Sequence, residues 1–248
     1  MKSILGIDIG GSGIKGGIVD VESGKMITPR TRVETPPDGD PYEISRIIHK
    51  LYEDFSWKGP VGVGFPAVIL DGVAITAANI SDEWIDMNVN NLLSKGTDSR
   101  VYTVNDADAA GMAEMDFGAG KDRKHGVVMM LTLGTGIGSA IFVDGTLVPN
   151  TELGHLIIKE KEAEKWTSAA VKEKHKLSWR KWSDRLQVYF EYLESLFSPN
   201  LFIIGGGVSK DAEKFIPRLH TRADIIPAEY QNQAGIIGSA LFAASKEK

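Results

Sequence analysis

Apolar and polar residues alternate over the first twenty positions in the manner of strands. Ile4 to Ile9 is rich in β-branched residues, a cluster of glycines interrupts the run, and Gly17 to Val21 resumes it before a Glu22-Ser23-Gly24 turn. The period then lengthens. Asp40-Pro41 is a helix start with proline at the first helical position, and Ile44, Ile47, Ile48, Leu51 and Tyr52 keep helical spacing up to Phe55. Val61 to Pro66 reads as a strand ending in a proline turn. Arg100 to Asp106 reads as a strand ending on two polar side chains, and ADAAGMAEMDF continues as a helix.

The second half follows a similar plan. Val127 to Leu133 is a strand with Ser139 to Val143 as its hairpin partner, and Glu162 to His175 is a polar helical stretch. In the helix predicted over Ser178 to Phe197, Trp179, Trp182, Leu186, Phe190, Leu193 and Phe197 share one face. PNLFIIGGGVSKDAEKF then gives a buried strand, a glycine turn and a new helix, and a final helix is predicted over Ala234 to Ala244. LTLGTGIGSAIFVDG also repeats the opening stretch: Ile9-Gly10 matches Leu133-Gly134, and Ile18-Val19-Asp20 matches Phe142-Val143-Asp144, at an offset of 124 residues. A duplicated hairpin core, one copy opening each of two similar domains, leaves this pattern. The expectation is an α/β protein with a sheet in each half and a cleft between two α/β domains, where small ligands bind. The smaller domain would span 1–112, with the helix at 234–248 packing back on it, and the larger would span 113–233.

Composition narrows the chemistry. With 248 residues, 42% hydrophobic and 25% charged, the chain has the make-up of an ordinary globular protein. It has no cysteine, which excludes disulfides, thiolate zinc sites and a cysteine nucleophile. No run approaches the length of an apolar membrane span, and MKSILGIDIGG meets an aspartate too early for a signal peptide, so a cytoplasmic protein is expected. A net charge of −5 argues against general adhesion to nucleic acid or to an anionic membrane. The charge is uneven, however. From Lys159 to Arg185 there are nine Lys or Arg against five Asp or Glu, a local +4 that leaves −9 elsewhere. That segment is either a pair of solvated helix faces or a landing strip for a polyanion.

Five glycines fall between Asp8 and Gly17. They make neither a Walker loop, since Lys15 follows Ile14 and precedes Gly16, nor a dinucleotide fingerprint, since IKGGIVDVESG is β-like where a helix is needed. What remains is a glycine-rich hairpin tip, either a tight turn or a place where backbone N–H groups point at an anion. Two more glycine turns, Gly134 to Gly138 and Gly205 to Gly207, also stand at strand ends and favour the anion. Asp8 just before the first turn is either a turn-forming carboxylate or one that holds magnesium through water. Asp106, at the carboxyl end of its strand, suits a general base or a helix N-cap, and the two are compatible. Glu152 and His155 in NTELGH join Asn79, Asn105 and Asp106 as amide, carboxylate and imidazole groups able to bind a polyol through directional hydrogen bonds.

Taken in order and spacing, GIDIGGSGIKGGIVD, GVGFPAVI, VNDADAAGMAE, LTLGTGIGSAIFVDG, ELGH and FIIGGGVSK resemble the ROK family of sugar kinases and repressors, within the actin-like ATPase (ribonuclease H-like) superfamily. The resemblance spans nearly the whole chain. It implies that the first two glycine hairpins hold the donor's phosphates (Asp8, Gly10, Gly11, Ser12, Gly13 and Lys15 in one, Thr135 and Gly136 in the other). Gly206 and Gly207 would lie in the nucleotide region of the carboxyl domain. Asp106 would be the base that activates the sugar's 6-hydroxyl, assisted by Mg²⁺ held near Asp8 through water. Glucose would be bound by Asn79, Asn105, Asp106, Glu152, His155 and Glu164, the last with Ser168 in the EKWTS segment.

Two departures from the family pattern matter. Typical members carry a cysteine-rich zinc motif after the GH pair; here no zinc is expected, and His155 would serve the sugar only. The segment LSWRKWSDRLQVYFEYLESLFSPNLFIIGGGVSK, with the missing zinc motif and the short length, looks like the glucokinase subgroup that uses inorganic polyphosphate and often ATP. A long polyanion would give the +4 segment a purpose, with Lys121, Arg123 and Lys124 extending the track. The expectation is a homodimeric cytoplasmic kinase making glucose 6-phosphate. An ATP-only kinase, or one acting on mannose or another hexose, is the alternative. A non-enzymatic sugar sensor fits less well, because the first strand begins by residue 4 and leaves no room ahead of it for a DNA-binding domain.

Overall fold

The computed structural model describes residues 3–78, 80–95 and 97–247. The chain divides into two compact units, Met1–Ala113 with Gln233–Lys248, and Glu114–Asn232.

In the first unit, β1 (Ser3–Gly10) and β2 (Gly13–Asp20) form an antiparallel hairpin closed by Gly11 and Ser12, with Gly10 opposite Gly13. The short strands β3 (Lys25–Met26) and β4 (Thr31–Val33) both pair with β2. Helix α1 (Pro41–Asp54) starts where Asp40 accepts the Glu43 N–H and Pro41 occupies the first turn, and it buries Ile44, Ile48, Leu51 and Tyr52. β5 (Val61–Phe65) runs parallel to β1, with a small hairpin of β6 (Ile69–Leu70) and β7 (Val73–Ala74) after it. Helix α2 (Val89–Ser94) leads to β8 (Val101–Asn105), parallel to β5, and α3 (Asp106–Asp116) follows without a break. The sheet order is β3-β2-β1-β5-β8.

The second unit repeats this order. β9 (Val127–Leu133) and β10 (Ile137–Val143) form its hairpin, with β11 (Thr146–Val148) beside β10. A small hairpin of β12 (Ile157–Ile158) and β13 (Lys161–Glu162) precedes helices α4 (Glu164–Thr167), α5 (Ala169–Lys174) and α6 (Trp179–Phe197). β14 (Leu201–Gly205) is parallel to β9, and β15 (Asp224–Pro227) is parallel to β14, giving the order β11-β10-β9-β14-β15. The two sheets share one plan, as a duplicated hairpin core requires. The second strands, however, are equivalent with a one-residue slip from the sequence match. With Ile9 set against Leu133, Ile14 faces Ile9 and Ile137 faces Leu133, so Ile18 stands with Ile141 rather than with Phe142.

One helix prediction is corrected and a second is refined. The polar stretch from Glu162 to His175 is not one helix, because Ser168 is extended (φ −62°, ψ 160°) and caps α5 through the Val171 N–H. The new helix expected after β14 is a 3-10 helix, Gly207–Lys214, broken by non-helical backbone at Asp211.

The last helix, α7 (Ala234–Lys246), belongs to the first unit and is buried along most of its length against β1, β5 and β8. Its backbone rests directly on glycine: a Cβ on Gly62 would lie 1.8 Å from Ser239 O, and one on Gly6 2.0 Å from Ile236 O. Each unit has its own core, Ile7, Val63, Phe65 and Trp84 in the first, and Trp182, Tyr189, Phe190 and Phe202 in the second. Among the described residues no helix is long and apolar enough to cross a membrane.

Candidate active site

In the first unit the glycine tip is held from outside. Arg32 donates to Ser12 O at 2.7 Å, and Thr35 Oγ1 donates to Gly10 O at 2.6 Å. These bonds occupy the carbonyls of Ser12 and Gly10. Gly10, Gly11, Thr35, Asp38 and Pro66 line a cavity of about 300 Å³ beside the tip. The sequence reading missed Arg32 and Thr35; the Thr-Pro-Pro-Asp-Gly run was the available signal, a turn segment with no hydrophobic pattern of its own.

Asp8 and Lys15 stand opposite each other on β1 and β2, and the Lys15 ammonium sits 2.8 Å from Asp8 Oδ2. The first turn of α7 closes on the same carboxylate, since a Cβ on Gly235 would lie 2.6 Å from Asp8 Cγ. One carboxylate already matched by an ammonium is a poor direct ligand for a divalent cation, and among the described residues no group of three metal-ligating side chains includes Asp8. The pair does fit the outer shell of Mg²⁺, which keeps most of its waters and takes its other ligands from substrate phosphates.

At the end of β8 the work is divided between neighbours. Asn105 is buried; its Oδ1 accepts the N–H groups of Ala107 and Asp108, and its Nδ2 donates to Ala67 O at 3.1 Å. Asn105 is therefore the N-cap of α3, and Asp106, read as a possible cap, stands inside the first turn with its side chain half-buried. Asn79 lies outside the described residues.

In the second unit the ELGH segment is fastened to β10. Ser139 Oγ donates to Thr151 O at 2.6 Å and accepts the Leu153 N–H at 3.0 Å, and Gly154 is pressed so close that a Cβ would meet Ile137 O at 2.4 Å. Glu152 and His155 are thereby brought to 3.9 Å, and Glu164, which accepts the Ile137 N–H, joins them. Burial raises the Glu152 carboxyl above its usual value, His155 draws it down and Glu164 pushes it up. His155, Glu162 and Glu164 also have ligand atoms within 4.8 Å of one another, with the Lys165 ammonium 2.6 Å from Glu162. Glu162 was not anticipated, and only the β12-β13 hairpin brings it to His155, at 3.7 Å.

The two glycine turns of this unit are neighbours. Gly206 has φ +82°, a backbone that favours glycine, and a Cβ there would lie 2.4 Å from Leu133 O, one residue before Gly134. Gly134 and Gly207 differ: neither has a positive φ, and a Cβ on either would meet open space. Internal packing does not require glycine at these two positions, and the open space beside them leaves the backbone accessible. Gly136 sits between them and β10, with its carbonyl accepting the Gly134 N–H, and Thr135 at the tip is exposed.

Of the cations offered as a track, several are engaged. Arg123 pairs with Asp224 at 2.7 Å, Lys124 with Asp116 at 3.0 Å, and Arg185 donates to Trp166 O while its guanidinium lies over that ring.

Two duplicated sheets with glycine turns at their strand ends, and a polar side-chain set on each, are the parts of an actin-like sugar kinase. Residues 4–168 match the sequence profile of the ROK family, and the chain belongs to that family. It is 45% identical over 238 residues to the polyphosphate glucokinase of Mycobacterium tuberculosis (strain CDC 1551 / Oshkosh), covering 96% of this chain and 89% of that one. The crystal structure of inorganic polyphosphate/ATP-glucomannokinase from Arthrobacter sp. strain KM superposes with a TM-score of 0.95 at 45% identity, over 99% of this chain and 100% of that one. A ROK family glucokinase from Streptomyces griseus, in complex with glucose and AMPPNP, shares the fold (TM-score 0.84, 23% identity, 98% and 99% covered).

Proposed function

We propose that this protein is a kinase that phosphorylates glucose to glucose 6-phosphate with inorganic polyphosphate, or ATP, as donor. The likeness to polyphosphate glucokinases over 96% of the chain supports the donor and the sugar. The observation that carries the mechanism is the division of labour at the end of β8: Asn105 makes the helix cap, so Asp106 is not needed for it.

Asp106 takes the proton from the 6-hydroxyl as that oxygen attacks the terminal phosphorus in line. The bridging P–O bond breaks, and the shortened polyphosphate or ADP leaves with the electron pair. Backbone N–H groups of the turns at Gly10–Gly13, Thr135–Gly136 and Gly206–Gly207 stabilise the charge spread over the transferring group; positioning and electrostatics supply most of the catalysis in such transfers. Asp8 would hold Mg²⁺ through water, and the ion would supply neutralisation of donor charge. Asn79, Asn105, Glu152, His155 and Glu164 bind the sugar, and His155 is read as a sugar ligand because Lys165 already satisfies its neighbour Glu162. Mannose is a second acceptor on this reading, since the relative of known structure with 45% identity is a glucomannokinase. The protein is soluble and cytoplasmic on the same reading, and a homodimer, which the family likeness implies, is checked by light scattering on the purified chain.

Asp106→Asn tests the assignment of the base. It keeps the size of the side chain and leaves the Asn105 cap in place, so glucose binding and melting temperature should stay near wild type while kcat falls roughly 10²-fold or more. Turnover close to wild type with either donor would remove Asp106 from the mechanism.

A further inference from the structure

We propose that Lys172, Lys210 and Lys214, grouped around Asp211 and the Trp179 indole, hold the part of a polyphosphate chain that lies beyond its reacting end. The proposal rests on the reading of polyphosphate as a donor and adds the residues that select it.

The two elements that carry these lysines both start at the glycine turns. Helix α5 is tied to the second hairpin by the bond from the Ala170 N–H to Gly134 O at 3.0 Å, and Lys172 stands two residues further on. The 3-10 helix that bears Lys210 and Lys214 leaves directly from Gly206, whose carbonyl accepts both the Ser209 N–H and the Ser209 hydroxyl. Gly206 in turn packs on Leu133, so the two starting points are adjacent. From there the lysines converge on one indole: the Lys172 ammonium is 3.9 Å and the Lys214 ammonium 5.5 Å from the centre of Trp179, which stands parallel to Phe215 at 6.0 Å. An aromatic face positions an ammonium while leaving its N–H groups able to donate.

Asp211 sits among the three cations and accepts a hydrogen bond from Lys214, and Glu213 adds a second carboxylate whose charge acts on Lys214, so three lysines face two carboxylates. Its carboxyl is held below the usual range first by that bond, against the effect of burial, and then by the charges of Lys214, Lys210 and Lys172. The cluster therefore already binds one anion and keeps a net positive charge. An exposed pair of this kind is weak, and a phosphate oxygen can replace the carboxylate on Lys214. The break in the 3-10 helix at Asp211 (φ −107°, ψ 22°) falls at the same residue. Lys210 and Lys214 lie outside the basic segment seen in the sequence, which explains why counting charge along the chain did not find them.

A chain of phosphates extends far beyond the triphosphate of ATP, so these lysines should discriminate between the donors. The experiment uses the full-length protein with glucose and compares long-chain sodium polyphosphate with ATP in steady-state kinetics. In the triple variant Lys172→Gln/Lys210→Gln/Lys214→Gln, KM for polyphosphate is expected to rise at least about tenfold, as loss of hydrogen bonds to charged groups implies, with KM for ATP within about twofold. Asp211→Asn removes the competing carboxylate and is expected to lower KM for polyphosphate about two- to threefold, an improvement that loss of structural support would not produce. Equal rises for both donors in the triple variant, or no rise for polyphosphate, overturns the proposal. Should the triple variant melt early, Asp211→Asn decides alone, and an unchanged or higher KM for polyphosphate overturns it. A wild-type protein that uses ATP and not polyphosphate refutes the donor reading itself, a pattern set apart because the wild type fails and not the variants.

Discussion

Glu152, proposed as a sugar ligand, works against the fold that holds it. Its carboxyl is raised by burial, partly offset by His155, so the fold favours the neutral form. For such a group the stabilising contribution is complete below the ordinary value and is lost as pH rises through the raised one. At neutral pH the ionised carboxylate therefore costs stability, a cost that the proposed contact with a sugar hydroxyl would justify. Glu152→Gln is expected to melt roughly 1–3 °C above wild type at pH 7, with the gap closing towards pH 4, while KM for glucose rises. A scan of melting temperature against pH reads the first part, and a variant less stable than wild type at pH 7 would contradict it. At this scale the sequence was legible in the position of the Asn-Asp pair, where β8 ends at Asn105 and Asp106 opens the helix that follows. It misassigned the cap, because Asn and Asp are nearly equal as N-caps and adjacent in the chain, and only the backbone tells which side chain reaches the free N–H groups.

At the scale of elements, hydrophobic period was sufficient where the element is long. Helix α1 starts at its Asp-Pro signal, and α6 covers Trp179–Phe197, the predicted range with Ser178 as its cap. The failures are short. Ser168 and Asp211 interrupt helical patterns that composition alone would continue, because a single extended or non-helical residue is set by tertiary contacts and leaves no periodicity behind. The glycines inside β1, β5 and α7 also carried a signal that a pattern of apolar residues hides. Gly6 and Gly62 let the backbone of α7 lie on the sheet, Gly238 brings it against Ala109 O, and Gly235 brings its first turn onto Asp8. In Gly62→Ala the added methyl meets a main-chain oxygen that can move only with the helix, so a loss of about 3 kcal/mol is expected from overpacking. Urea denaturation measures it. Because Asp8 sits under the other end of the same helix, KM for the phosphoryl donor should rise as well, and a stability loss without that rise would separate α7 from the site.

Over the whole molecule, the repeated sheet order explains why glycine turns come in matched pairs, since each copy of the hairpin carries a turn at the same end of its first strand. Charge does not follow the repeat. The chain carries −5 overall, while Lys159–Arg185 in the second copy carries nine Lys or Arg against five Asp or Glu, a local +4. Long-range attraction from the protein as a whole is therefore absent for a polyanion, and binding must come from the local cluster at distances where salt competes directly. Release of counterions from a polyanion makes affinity fall as a power of salt concentration, with an exponent near the number of charges neutralised. Raising ionic strength from about 50 to about 200 mM should thus raise KM for long-chain polyphosphate by roughly tenfold or more if two or three lysines are engaged. KM for glucose, which is uncharged, should stay within about twofold over the same range. Steady-state kinetics at fixed Mg²⁺ with each substrate varied in turn gives both slopes. A polyphosphate KM as flat as that of glucose would mean that the lysine cluster takes no part in holding the chain. A steep slope retained after Lys172, Lys210 and Lys214 are neutralised would place the cationic surface elsewhere, with Arg180 and Lys181, both exposed in the first turn of α6, as the next residues to neutralise.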